Sequence, residues 1–361
     1  MHPPMPSRHP GLDLARGLLM FYIVAVVHAV FWLQLLPQSF SSWWLFEMPG
    51  IFVVSGYAYS LYERAQAGGR PGGPQGSGYL AYLAGRGVRV LLPYLVYATA
   101  CALLWHQLQQ RHDAAGAPAV SATLLAWLNP LRHGEGHTLG VLNGQLWFLT
   151  PFLLVTALLP VVTRLKLPWR PPLWVCMLLL AGLLFLLGQG DIKGGYQLRT
   201  TLFYLAWAVL GYALDGRLAL QPRELAATGG LAMLCVAGLH ALLQAPLDMQ
   251  DNKFPPNAVF VFFTSAWMCL LLPLARRMPS SMLARLEAAA WLRPFVRNGY
   301  SLYLWQGMGY TAAMAVAARL HLPWPATWAL AVLSTVALGL LFAPVERVRL
   351  RGFGRRREPA V

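Results

Sequence analysis

Residues 17–36 read Gly17-Leu-Leu-Met-Phe-Tyr-Ile-Val-Ala-Val-Val-His28-Ala-Val-Phe-Trp-Leu-Gln-Leu-Leu36. About 20 consecutive apolar residues suffice to cross the hydrocarbon core of a bilayer as a helix, so this run reads as a membrane span. It follows a basic segment, but it is longer than the short core of a secretory leader, and no small-residue cleavage pattern follows it. It is expected to be retained as the first helix. Its single histidine then stands out, because an ionisable group at bilayer depth is costly and marks function by default.

Similar runs recur to the end of the chain. Ten spans are expected, near residues 15–36, 42–62, 89–108, 142–163, 173–189, 199–215, 225–245, 256–274, 298–318 and 325–345. The predicted fold is all-α: one polytopic helical bundle over residues 1–361, with a flexible loop near 65–85 and a basic tail at 346–361. Composition agrees, since 57% of the 361 residues are hydrophobic and only 11% are charged. The four cysteines, Cys101, Cys176, Cys235 and Cys269, all lie inside apolar stretches without close pairing, which argues against a disulfide framework or a zinc site.

A net charge of +15 in a soluble chain would point to nucleic acid. Here the basic residues sit between apolar runs, and topology explains them better. With the N-terminus inside, only Arg111, Arg132, Lys193, Arg199, Lys253 and Arg319 fall outside; the rest of the 28 Lys and Arg lie in alternate, cytoplasmic connections. Both termini are therefore expected in the cytoplasm. The Gly/Pro-rich stretch 66–78 lacks the Lys-Ser/Thr of a phosphate-binding loop and reads as a linker.

Few ionisable groups remain inside the spans. Helical rise puts His28 roughly 12 Å inward from a span end near Leu36 and Glu47 roughly 8 Å inward from a start near Ser42, so the two are expected at one depth. A carboxylate beside an imidazole fixes its tautomer and raises its basicity, which suits a general base. Asp13 and Arg16 share a helix face where the first span begins. They read either as a capping and a topological pair or as an anchor for an anionic donor. Arg86 and Arg89, one turn apart before the third span, are placed to clamp phosphates or to set topology. His133, Glu135 and His137 look like metal ligands, but the intervening glycines and the absence of a further cluster argue against a metal, and none is expected. Most Trp and Tyr residues, among them Trp43, Trp44, Trp147, Trp207 and Trp305, fit interfacial belts.

Taken in order, these segments resemble the acyltransferase 3 family of membrane O-acyltransferases over nearly the whole chain. The resemblance rests on Leu12 to Arg16 with His28, Glu47-Met-Pro-Gly-Ile-Phe-Val-Val-Ser-Gly56, Arg86-Gly-Val-Arg-Val-Leu-Leu-Pro-Tyr94, Asn143-Gly-Gln-Leu-Trp-Phe-Leu149 and Arg297-Asn-Gly-Tyr-Ser-Leu-Tyr-Leu304. It implies a ten-helix domain in a bacterial inner membrane that uses acetyl-CoA, with Arg16 and His28 essential and Arg86 and Arg89 on the donor. Trp147, Asn298 and Ser301 fall on the family's aromatic and late polar motifs and are expected to face the substrate. Ser55 and Gly56 match the family's Ser-Gly motif in the second span, Phe148 the aromatic motif and Tyr300 the late polar one. Two departures stand out. The gap from Arg16 to His28 is one residue longer than the family's, which on an ideal helix turns the two side chains roughly 120° apart instead of nearly aligning them. A local bulge or a long reach by Arg16 is required. The late motif also ends in Gln306 where the family usually has His.

The resemblance implies transfer of an acetyl or other short acyl group from acyl-CoA to a hydroxyl of an extracytoplasmic or lipid-linked saccharide, exopolysaccharide first, directly or through polysaccharide assembly proteins. The competing expectation is a transporter or flippase for a polar lipid or sugar, with His28 and Glu47 as gating or proton-relay groups. A non-catalytic subunit of an export assembly is a third.

Overall fold

The computed structural model describes residues 9–67, 78–112, 119–131, 141–165, 171–190, 194–216 and 220–348. The linker core and the triad His133, Glu135 and His137 lie outside the described residues. Of the described residues, 85% are helical and none lies in a strand. Apolar segments that cannot hydrogen-bond to lipid must satisfy their backbone internally, and a helix does so within each segment.

A helix occupies each of the ten expected places, as Pro10–Trp32 taken with its π segment, Glu47–Ala67, Gly78–His112, Val141–Val162 with its short 3-10 turn, Leu173–Gln189, Gly195–Ala213, Pro222–Leu243, Ala258–Arg277, Arg293–Leu320 and Trp324–Glu346. Six of these are long and apolar enough to cross a membrane: the first, third, fourth, seventh, eighth and tenth. Leu173–Gln189 is apolar but has only 17 residues. Polar residues dilute the hydropathy of two others: Glu47, Glu63 and Arg64 in one, Gln197, Arg199, Thr200 and Thr201 in the other. The third helix begins at Gly78, well before the expected residue 89, so Arg86 and Arg89 lie inside it instead of at its start.

The chain divides into two compact units, residues 1–65 with 158–297 and residues 66–157 with 298–361. In the first unit, Glu47–Ala67 and Gly195–Ala213 meet backbone to backbone. A β-carbon at Gly56 would overlap the Ala208 carbonyl, and one at Gly211 would overlap that of Val53. That close approach gives Gly56 of the Ser-Gly motif a packing role. The C-terminal ends of the same two helices are tied by Arg64, whose Nε donates to Asp215 at 2.6 Å, and by Tyr212, whose hydroxyl donates to Glu63.

Further ties in this unit join element ends that the charge pattern assigns to one side. On the expected cytoplasmic side, Leu173 N–H donates to Glu224 at 2.9 Å, Arg276 donates to the Leu220 carbonyl at 3.1 Å, and Gly17 lies against Val296. On the other side, Gln38 donates to Asp248 at 2.9 Å and Lys253 to Glu47 at 2.9 Å. This pattern of ties supports alternating helix directions.

The second unit is built on Gly78–His112. Its core joins Tyr94, Tyr97, Cys101, Trp127, Leu146 and Trp305. Tyr94 and Tyr97 donate to the carbonyls of Trp127 and Leu142 at 2.5 and 2.6 Å, and Tyr300 donates to that of Val90 at 2.9 Å. Tyrosine hydroxyls thus find carbonyl partners, two near the ends of short helices at Trp127 and Leu142 and one inside the long helix at Val90, as an apolar interior requires.

Candidate functional site

The first helix is not uniform. Pro10–Phe21 is α-helical, Tyr22–Val27 is a π segment, and His28–Trp32 returns to α. The His28 N–H reaches back five residues to the Ile23 carbonyl, the hydrogen bond that defines a π turn. Such a turn accommodates one extra residue without advancing the helix face. The extra residue between Arg16 and His28 is therefore absorbed, and the two side chains return to within roughly 20° of alignment. This is the bulge that the spacing demanded.

The helix ends at Trp32, about one turn short of the expected Leu36; Gln34 takes a left-handed conformation at φ 52° and Pro37 follows. His28 is consequently only four residues, roughly 6 Å of rise, from the helix end. Its ring stacks on Trp32 at 4.3 Å between centroids and 20° between planes, and it is half-buried. Arg16, at the other end, is bonded to Asp13 at 3.4 Å, and its side chain is 38% exposed.

Between Trp32 and Glu47 the chain dips into the protein. Ser41, Ser42, Leu45 and Phe46 are all buried. The segment is held by Tyr22, whose hydroxyl donates to the Trp44 carbonyl at 2.9 Å, and by Trp267, whose indole donates to that of Trp43 at 3.2 Å. Phe46 lies stacked on both Tyr22 and Trp267. Glu47 is the first residue of its helix and is 1% exposed. Its carboxylate suits the positive end of the helix dipole, and its partner is Lys253, 4% exposed, at 2.9 Å. The expected pairing partner of Glu47 was His28; the ion pair runs instead to a lysine that charge counting had placed in an outside loop. The signal was local: Lys253 sits between Asp248-Met-Gln-Asp and Phe254-Pro-Pro, where a capped short helix turns the side chain inward. The second carboxylate oxygen of Glu47 is buried without a hydrogen-bond partner among the described residues.

The remaining expected site residues lie in the second unit. The Arg86 guanidinium lies over the Phe152 ring at 5.7 Å, and its Nε is buried. Arg89 is exposed and donates to the Gly85 carbonyl at 3.2 Å. Trp147 is half-buried in a single 3-10 turn, Gln145–Phe148. Beside it, Gln145 is almost wholly enclosed; its side-chain amide donates to the Tyr97 hydroxyl and the Leu304 carbonyl, and its backbone carbonyl accepts from the Tyr303 hydroxyl. Asn298 breaks the helical dihedrals of Arg293–Leu320 at φ −134°, ψ 31°, and its Oδ1 accepts from Arg347 at 2.9 Å. Ser301 donates through both N–H and hydroxyl to Glu346. The late polar motif therefore anchors the end of the last helix. Gln306 is fully buried, and both polar atoms of its amide are without partners among the described residues. Among the described residues, no group of three His, Cys, Asp or Glu could hold a metal ion.

Apolar helices of spanning length, the first carrying a half-buried histidine and an arginine on one face, are those of an integral membrane protein. The model of the acyltransferase 3 family, described as an acyltransferase domain, matches residues 9–344, and the chain belongs to that family. It is a membrane acyltransferase. No match was found among curated proteins or among solved structures.

The ion pair yields a stability prediction. Removing one partner of a buried pair leaves an uncompensated charge, which costs about 3–5 kcal/mol, whereas neutralising both costs much less. Lys253→Met should therefore unfold at markedly lower temperature in detergent than the double variant Glu47→Gln/Lys253→Met. Equal midpoints for the two would show that the pair is not desolvated as described.

Proposed function

We propose that the chain transfers an acetyl or other short acyl group from acyl-CoA to a hydroxyl of an extracytoplasmic or lipid-linked saccharide, with exopolysaccharide the first candidate, from within a bacterial inner membrane that it crosses ten times with both termini in the cytoplasm. The observation that carries the reading is the π segment. Such turns are frequent at functional sites, and here it does what transfer needs, returning Arg16 and His28 to one face.

In this reading His28 is the general base. Its ring takes the proton of the acceptor hydroxyl as that oxygen attacks the thioester carbonyl; the carbon–sulfur bond breaks, and the departing thiolate takes the proton from the imidazolium. Stacking on Trp32 holds the ring plane. Arg16 assists the donor or the developing oxyanion. We give Glu47 a positioning role, because its ion pair with Lys253 fixes the start of its helix and the buried segment leading into it. Arg86 and Arg89 serve the donor's phosphates, and Trp147, Asn298 and Ser301 line or shape the acceptor's path. Asn298 and Ser301 act through the helix end that they fix.

Three outcomes test this. With labelled acetyl-CoA and extracted envelope glycans, His28→Ala should lose transfer by at least ~10²-fold, the lower range for a general base, while unfolding like the wild type; wild-type transfer by that variant removes the base assignment. Arg86→Ala and Arg89→Ala should raise the KM for the donor and leave kcat nearly unchanged; a loss confined to kcat would exclude phosphate binding. Deleting Val26 should convert the π segment to α-helix and keep Arg16 and His28 aligned, so transfer should survive, whereas one alanine inserted after Leu19 should rotate Arg16 away by roughly 100° and abolish it. Equal activity of the deletion and the insertion would contradict the alignment argument.

A further inference from the structure

Helices Pro222–Leu243 and Ala258–Arg277 pack together in the first unit, and beside their contact lies a cavity of about 650 Å³ that opens to the surface. Its floor is made of small residues, Ala226, Gly229, Gly230 and Ala266, and its walls carry the exposed side chains of Met233 and Leu270. At one end stands Arg277, at the other Trp43 and Trp267. From Phe263 to Arg277 the helix rises roughly 21 Å, more than the ~15 Å of one leaflet's hydrocarbon, so the groove runs from mid-membrane depth to the headgroup level.

We propose that this groove is a binding site for an anionic phospholipid, which lays one alkyl tail over the glycine floor and sets its phosphate on Arg277. The lining selects that occupant. A pantetheine arm brings two amides that need polar partners, but the indole N–H of Trp267 already donates to the Trp43 carbonyl and the floor is apolar. Among the described lining residues there is no carboxylate, so a headgroup cation finds no partner while a phosphate finds a guanidinium. Both arginines at the helix end are exposed; Arg276 donates to the Leu220 carbonyl, while Arg277 lines the groove. The cytoplasmic leaflet, where the charge pattern puts Arg277, is also the one rich in anionic lipid. The two floor glycines differ in purpose. A β-carbon at Gly229 would come within 3.2 Å of Cys269, so that glycine serves helix packing, whereas one at Gly230 meets nothing within 4 Å and the space there is open.

That difference supplies the test, which does not depend on the acyl-transfer reading. Full-length protein in mild detergent is titrated with phosphatidylglycerol and with phosphatidylcholine of the same tails, and bound lipid is counted by native mass spectrometry. One site should take phosphatidylglycerol roughly tenfold more tightly, because both lipids offer a phosphate to Arg277 but the choline cation finds no carboxylate in the lining and is repelled by the guanidinium. Arg277→Ala should erase that preference, and Gly230→Phe should fill the groove and remove the site for both lipids. Should Gly230→Phe fail to fold, Arg277→Ala at its exposed helix end still decides. Equal affinity for the two lipids in the wild type, or wild-type binding by Gly230→Phe, overturns the proposal. So does a lipid-linked glycan or long-chain thioester that co-purifies with the wild type and is lost from Gly230→Phe.

Discussion

In hydrocarbon an unpaired backbone amide or carbonyl costs several kcal/mol, and no water is present to relieve it. Most of this structure follows from that constraint. It makes every apolar segment a helix, and it decides how a helix with one residue too many can be accommodated. A loop-out at mid-membrane would strand donors and acceptors. A π turn keeps the N–H of His28 bonded, five residues back at Ile23, and hides the insertion inside the helix. The same constraint shapes the segment from Leu33 to Phe46, which is broken into the short helical turns Gln38–Ser41 and Ser42–Trp44 while part of it is buried. Its carbonyls at Trp43 and Trp44 are taken by the Trp267 indole and the Tyr22 hydroxyl.

Periodicity and hydropathy located the helices because a span is a long, redundant signal; a few substitutions do not erase twenty apolar residues. Helix ends are set by single residues, and there the sequence was harder to read. Gln34 in a left-handed turn, ahead of Pro37, stops the first helix a turn early, and Gly78 starts the third more than two turns early. The π segment lies between these extremes. Nothing in Tyr22-Ile-Val-Ala-Val-Val announces it, yet the count from Arg16 to His28 required some such distortion once the family's spacing was used as a ruler. Its place within the helix came only with the structure.

The partner of Glu47 shows why pairings resist sequence reading. Depth along two helices put His28 and Glu47 at one level, but depth says nothing about rotation or about what a third segment inserts. Lys253 arrives from more than two hundred residues away on a five-residue helix whose N-cap, Asp248, is itself tied to Gln38. Counted as an outside charge, Lys253 carried topological meaning only. A lysine 4% exposed beside a carboxylate 1% exposed means something else, because the cost of burying either alone makes the two inseparable.

The late polar motif makes a related point about what a motif preserves. Asn298 and Ser301 were expected to face a substrate, yet one accepts from Arg347 and the other donates twice to Glu346, so together they clamp the start of their helix segment to the end of the last helix. Such a clamp is most useful where the helix is broken, and the non-helical dihedrals at Asn298 are that break. Two turns further on, Gln306 replaces the family's usual histidine at a position with no exposure at all. An amide offers a donor and an acceptor without a titratable charge, so at this buried position it keeps hydrogen-bonding capacity while giving up proton transfer. His28, half-buried in the first helix, keeps that titratable capacity, and its ring sits one turn from the end of a helix whose extra residue is taken up by a π turn.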